Sequence, residues 1–138
     1  MKLLITGSYG QLGNELTKIL KNGRAEIGEI SPAYSGCEII AVDYDTLDIT
    51  DKDAVQAFIQ EHQPDIIFNC AAMTNVDQCE TDFETAMKVN AIGPRNLARA
   101  AKQTGAKLVH VSTDYVFSGT QATPRCEWDL CAPNTVYG

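Results

Sequence analysis

Residues 2–13 read Lys2-Leu3-Leu4-Ile5-Thr6-Gly7-Ser8-Tyr9-Gly10-Gln11-Leu12-Gly13. The apolar run from Lys2 to Thr6 predicts a short buried strand that ends at Gly7. Immediately afterwards Gln11 to Lys21 places Leu12, Leu16, Ile19 and Leu20 on one helical stripe. Strand, tight turn and helix in that order give the glycines of TGxxGxxG a mechanical role. Without side chains there, main-chain amides and a helix N-terminus can approach a pyrophosphate, and Gly13 lets the helix pack closely on the strand. In this frame the motif predicts dinucleotide binding rather than a plain structural turn.

The rest of the chain repeats the pattern. After Asn22-Gly23, a stretch with Gly, Ser and Pro as far as Cys37 predicts a long connection, and Glu38 to Val42 predicts a second strand ending at Asp43. Thr50 is expected to cap a helix over Asp51 to His62, with Val55, Phe58 and Ile59 as its apolar face and Pro64 marking its end. Asp65 to Cys70 is a third apolar run. From Thr81 or Asp82 to Thr104 the spacing of Phe83, Ala86, Met87, Asn90, Leu97, Ala100 and Ala101 is helical, with a kink expected at Gly93-Pro94 and a stop at Gly105. Lys107 to Ser112 is the last strand, and Ser118 to Thr135 is expected to be a loop over the carboxyl edge of the sheet. Apolar strands alternating with helices imply an α/β fold, a doubly wound parallel sheet of Rossmann type, with residues 1–138 as one dinucleotide-binding domain.

Composition narrows the function classes. The chain has 138 residues, 44% hydrophobic and 21% charged, which fits one ordinary globular core. No stretch approaches the ~18 apolar residues of a membrane span, and the start turns polar too soon for a signal peptide. No membrane partner and a cytoplasmic location are expected. Eleven basic against 18 acidic residues, a net charge of -7, argue against a nucleic-acid partner. Five cysteines without a CxxC pair or clustered histidines indicate neither a disulfide framework nor a zinc site.

Two places carry chemistry. Asp43, at the end of the second strand, can accept hydrogen bonds from an adenosine ribose and would repel a 2′-phosphate, which favours NADH over NADPH. It lies 30 residues after Gly13, against the usual ~20, and Asp45 competes for the role. Neither Ser8 nor Tyr9 supplies a cation for a 2′-phosphate. Ser112-Thr113-Asp114-Tyr115 falls at the end of the last strand, where open α/β sheets bind ligands. A hydroxyl there can hold a carbonyl oxygen, and Tyr137 is a second hydroxyl able to donate a proton.

Taken in order, TGSYGQLG, TLDIT, NCAAMTNVDQCE, KVNAIGPRNLARAA, VHVSTDYVFSG and the closing P-N-T-V-Y-G resemble the extended short-chain dehydrogenase/reductases, and within them the dTDP-4-dehydrorhamnose reductase family. The resemblance implies NADH- or NADPH-dependent reduction of the 4-keto group of a dTDP-sugar. It implies that Gly7, Gly10, Gln11, Leu12 and Gly13 hold the pyrophosphate, Asp43 the ribose, and Asp48 and Ile49 the adenine. Ala71, Ala72 and Thr74 would line the nicotinamide side, and Asn90 would support the site. Thr113, Asp114 and Tyr115 would meet the sugar, with Thr113 and Tyr137 catalytic.

Cys70 stands where alanine is more usual. Glu15 falls where some members place a magnesium-linked carboxylate at a homodimer interface; its companions would lie outside residues 1–138, and no metal is assigned. The family motif YxxxK has its lysine four positions after the tyrosine, beyond Gly138. On this reading residues 1–138 are the N-terminal portion of a longer protein, truncated before the sixth strand, and inactive alone. A non-catalytic dinucleotide-binding regulatory subunit and a sugar-nucleotide epimerase or dehydratase are the competing readings.

Overall fold

Leu3, Leu4 and Ile5 have no solvent exposure, as a strand covered on both faces requires. In the computed structural model, which describes residues 1–138, these residues belong to β1 (Lys2–Thr6). The chain continues through α1 (Gln11–Asn22), a small antiparallel hairpin of β2 (Arg24–Ala25) and β3 (Gly28–Glu29), and β4 (Glu38–Val42). Then follow α2 (Lys52–His62), β5 (Ile66–Asn69), α3 (Val76–Thr81), α4 (Phe83–Met87), α5 (Gly93–Thr104) and β6 (Lys107–His110). The main sheet is parallel throughout, in the order β4-β1-β5-β6. The path goes from β1 outward to β4 and then back across to β5, so the strand order reverses between β1 and β5. Their carboxyl ends open the crevice in which such sheets bind ligands.

Alternation along the strands divides the core. Leu4, Val42 and Ile67 face Val55 and Ile59 of α2 and Leu97, Ala100 and Ala101 of α5. Leu3 and Ile5 face the other way, onto Leu20 and Leu16 of α1, with Ile39 and Phe68 beside them. The α1 face is thinner toward β6, where Val109 and Val111 are 37% and 48% exposed.

The four long strands lie where the apolar runs predict them, with β5 and β6 shorter by a residue or two at their ends. Three local expectations need correction. Asp51, not Thr50, caps α2: its Oδ1 accepts the amides of Asp53 and Ala54 at 2.9 and 3.0 Å. Thr50 is engaged elsewhere, its amide on Asp48 Oδ1 at 2.8 Å and its carbonyl on Asn96 Nδ2 at 3.2 Å. The expected helix from residue 81 or 82 to 104 starts where read, with Asp82 capping α4 through Thr85 N at 3.1 Å, but a π-helical turn, Lys88–Ile92, stands between α4 and α5. Gly93 answers a packing need: a Cβ there would sit 2.6 Å from Ile49 Cδ1, and Pro94 follows in the first turn of α5. Finally, α3 and the β2–β3 hairpin are elements the sequence reading did not contain.

The capping assignment is testable. Asp51→Ala should lower stability by about 0.5–2 kcal/mol, the usual cost of a lost N-cap, and Thr50→Ala should cost clearly less, as measured by urea denaturation. Equal losses would remove Asp51 from the role.

Candidate nucleotide and substrate site

The site begins with contact between backbones. Gly7 has φ +68°, and a Cβ there would sit 2.6 Å from Ala71 N, so only glycine lets the turn after β1 touch the chain leaving β5. A Cβ on Gly13 would collide with the Gly7 carbonyl, which fixes how closely α1 approaches the turn. Gly10 is the N-cap of α1 and no side chain caps the helix. The first-turn amides of Gln11, Leu12 and Gly13 are therefore left for an anion, at the positive end of the helix dipole.

Asp43 closes the turn from the side. Its Oδ2 accepts the Tyr9 amide at 2.8 Å and its Oδ1 accepts the Tyr44 amide at 2.9 Å. Each oxygen keeps a lone pair for a further donor. Asp45 instead accepts the Tyr9 hydroxyl at 3.3 Å and lies outside the cleft. The cleft itself, about 430 Å³, is bounded by Gly7, Gly10, Asp43, Asp48, Ile49, Ala71 and Ala72, all expected from the sequence. Tyr44, Leu47, Thr50, Cys70, Thr85, Lys88 and Val89 line it too, and the sequence reading gave them no such role. The helical spacing of 85, 88 and 89 on one face is the signal that could have found the last three. Lys88 is the one cation lining the cleft, and its Nζ sits 2.6 Å from Glu84. Burial pushes the Cys70 thiol pKa upward, so Cys70 presents a neutral thiol there.

A second, smaller cavity of about 150 Å³ adjoins the cleft and shares Ala71 and Ala72 with it. Asn90, His110, Ser112, Thr113 and Tyr137 line it. Asn90 holds the dividing segment at two points, donating to Met73 O at 2.9 Å and accepting Met73 N at 2.8 Å. Behind the cavity, Asn69 Oδ1 accepts Thr6 Oγ1 at 2.6 Å and Ala71 N at 3.2 Å, leaving its Nδ2 to donate to His110 Nδ1 at 3.0 Å. The carboxyl ends of β1, β5 and β6 are tied together by that one amide.

The remaining predicted residues lie elsewhere. Thr74 is exposed and borders neither cavity. Asp114 and Tyr115 line a separate surface hollow with Phe117 and Asn134. Thr113 Oγ1 accepts the Tyr115 amide at 3.2 Å, so it also caps the turn that follows β6. Tyr137 meets Tyr115 edge-on, ring centroids 5.5 Å apart.

The sequence and the fold have known counterparts. The family model described as RmlD substrate binding domain matches residues 1–138. The dTDP-4-dehydrorhamnose reductase of Aggregatibacter actinomycetemcomitans is 43% identical over 99% of this chain and 43% of its own length. A crystal structure of a dTDP-4-dehydrorhamnose reductase from Clostridium acetobutylicum superposes with TM-score 0.89 at 46% identity, over 100% of this chain and 45% of that one. The Bacillus anthracis dTDP-4-dehydrorhamnose reductase, solved in complex with NADP, gives TM-score 0.86 at 42% identity, over 99% of this chain and 45% of that one. The chain thus spans less than half the length of the relatives it matches.

The electrostatics of the turn yield a prediction. The carboxylate of Asp45, as charge and as hydrogen-bond acceptor, raises the Tyr9 pKa above its ordinary value, with a smaller contribution from Asp43. The Tyr9–Asp45 bond should hold while the phenol is protonated and be lost as pH rises through that raised pKa. Asp45→Asn should move the Tyr9 titration back down, followed by NMR of the labelled ring, and Asp43→Asn should move it less. A Tyr9 curve that Asp45→Asn leaves in place would refute this assignment.

Proposed function

The chain belongs to the RmlD substrate binding domain family, and from that premise we propose that it is the dinucleotide-binding part of a reductase. The reaction is NADH- or NADPH-dependent reduction of the 4-keto group of dTDP-4-dehydro-L-rhamnose. The observation that carries this reading is the adjacency of the two cavities across Ala71 and Ala72. A dinucleotide in the cleft would end against the small side chains that also floor the cavity holding Thr113 and Tyr137. The residues present fit such a cofactor: the glycine turn packs directly on the Ala71 backbone and on the start of α1, as side chains would not allow, and the uncapped helix amides suit a pyrophosphate.

Each residue then has a task. Gly7, Gly10 and the amides of Gln11, Leu12 and Gly13 bind the pyrophosphate. Asp43 accepts from the adenosine ribose, while Asp48 and Ile49 border the adenine. Ala71 and Ala72, with Thr74 just beyond them, form the nicotinamide side, and Asn90 keeps that segment in place. Thr113 holds the substrate carbonyl oxygen, Asp114 and Tyr115 approach the sugar, and Tyr137 delivers a proton to the oxygen as the ketone becomes an alcohol. The bound cofactor supplies the hydride.

The dTDP-sugar is the partner this reading requires, and the protein would work in the cytoplasm as a homodimer. No helix is long and apolar enough to cross a membrane. The joint presence of Thr113 and Tyr137 in one cavity favours an enzyme over a regulatory subunit, and the names of the relatives favour a reductase over an epimerase or dehydratase.

The cleft carries two carboxylates, Asp43 and Asp48, and its one lysine is paired with Glu84, so NADH should bind more tightly than NADPH. Fluorescence titration with both cofactors decides this, and equal or tighter NADPH binding would take Asp43 out of the ribose role. Tyr137→Phe in the full-length protein should lower kcat by ~10²- to 10⁴-fold, the usual worth of a positioned acid, with cofactor affinity little changed. Normal turnover in that variant would end the assignment of Tyr137.

A further inference from the structure

Glu80 stands on α3, outside both cavities, and takes no part in the roles above. Its Oε1 nevertheless accepts the backbone amide of Val136 at 2.8 Å, across 56 residues of sequence. Val136 immediately precedes Tyr137 in a stretch without helix or strand, so no ladder holds the tyrosine in place. Isolated contacts do so: the Val136 amide on Glu80, the Gly138 amide on Thr135 Oγ1 at 3.1 Å, the edge of Tyr115 and, just upstream, the Ala132 amide on Val116 O at 2.8 Å and Asn134 Nδ2 on Ser118 O at 2.9 Å. Of these, only the first reaches outside residues 115–138, to α3.

The carboxylate is itself rooted there. Asn75 caps α3 through the Gln78 amide at 3.0 Å, and Cys79, fully buried, places its Sγ 3.8 Å from Met73 O. Met73 is the residue that Asn90 grips from the π-helical turn. A continuous chain of contacts therefore runs from the Ala71-Ala72 wall through Met73 and α3 to Glu80 and the amide beside Tyr137.

We propose that Glu80 is a positioning residue for Tyr137, holding the phenol at a fixed height above the Ala71-Ala72 wall. This rests on the reading of Tyr137 as the proton donor. A hydrogen bond to an ionised acceptor is among the stronger ones available to a surface segment, and it acts on the backbone, so it constrains the tyrosine whatever its side-chain rotamer. Glutamine at position 80 would still present an acceptor oxygen; alanine would not.

Two measurements test it. In the 138-residue chain, Glu80→Ala should speed hydrogen exchange of the Val136 amide by about tenfold, the expected effect of freeing one hydrogen bond at a surface, and weaken the ring-to-ring NOE of Tyr115 and Tyr137. Glu80→Gln should keep both. In the full-length protein, Glu80→Ala should lower kcat by about tenfold or more, since small misplacements of a reacting group are costly, with the KM for cofactor unchanged and turnover restored by Glu80→Gln. An unaltered Val136 amide and NOE in Glu80→Ala, or a loss of turnover that glutamine fails to restore, overturns the proposal. A wild-type protein that binds neither NADH nor NADPH would overturn the functional reading instead, and the exchange measurement would still decide whether Glu80 fixes this segment.

Discussion

The approach of the Gly7 backbone to the backbone of Ala71 is the constraint on which the site depends. The closeness is possible only because residue 7 lacks a side chain and adopts φ +68°. It brings the end of β1 against the end of β5, at the point where the strand order reverses. Gly13 adds the second half of the same condition by letting α1 start against the Gly7 carbonyl. Had either position carried a Cβ, the helix amides and the Ala71-Ala72 wall would stand too far apart to bound one cleft. Binding geometry here is a consequence of missing atoms.

Polar groups at the same edge are few and heavily used. Asn69 is 1% exposed and satisfies Thr6, Ala71 and His110 at once. A buried amide with all of its neighbours paired stiffens the strand ends, whereas one left unpaired would cost about 1–3 kcal/mol. Asn96 ties the far side through its Nδ2 alone, donating to Ile49 O at 3.1 Å and Thr50 O at 3.2 Å, while its buried Oδ1 has no partner. It thereby presses the segment that carries Ile49 and Asp48 onto α5. The two asparagines, neither singled out from the sequence, hold the two walls of the cleft.

What the sequence made legible follows from periodicity. Four apolar strands, the amphipathic faces of α1, α2 and α5, and the glycine turn all extend over enough residues to show a pattern and lie where expected, except that Leu12, read onto the α1 stripe, is 49% exposed. Asp43 was readable because it ends a strand; the structure separates it from Asp45, which letters alone could not do. The six-residue helix α3 and the two-residue strands β2 and β3 are too short to show a period of their own kind. The π-helical turn at Lys88–Ile92 was hidden because Phe83, Ala86 and Asn90 keep a helical spacing across the change of helix type. The packing of Gly93 on Ile49 was not legible because the two are distant in sequence.

The segment from Asn69 to Glu80 concentrates these hidden contacts. Within twelve positions it contributes the amide that ties three strands, the two alanines that divide the cavities, the Met73 backbone gripped by Asn90, and the carboxylate that holds Val136. Its small residues are as necessary as its polar ones. Ala71 and Ala72 keep the wall between the cavities thin, so that a group in the cleft and a group beside Thr113 can come within reach of each other. Larger side chains there would thicken the wall and separate the two sites, even with every hydrogen bond around them intact. The reduction proposed above would require proximity, and the two methyl groups that separate the cavities sit on a segment that Asn90 and Asn69 hold in place.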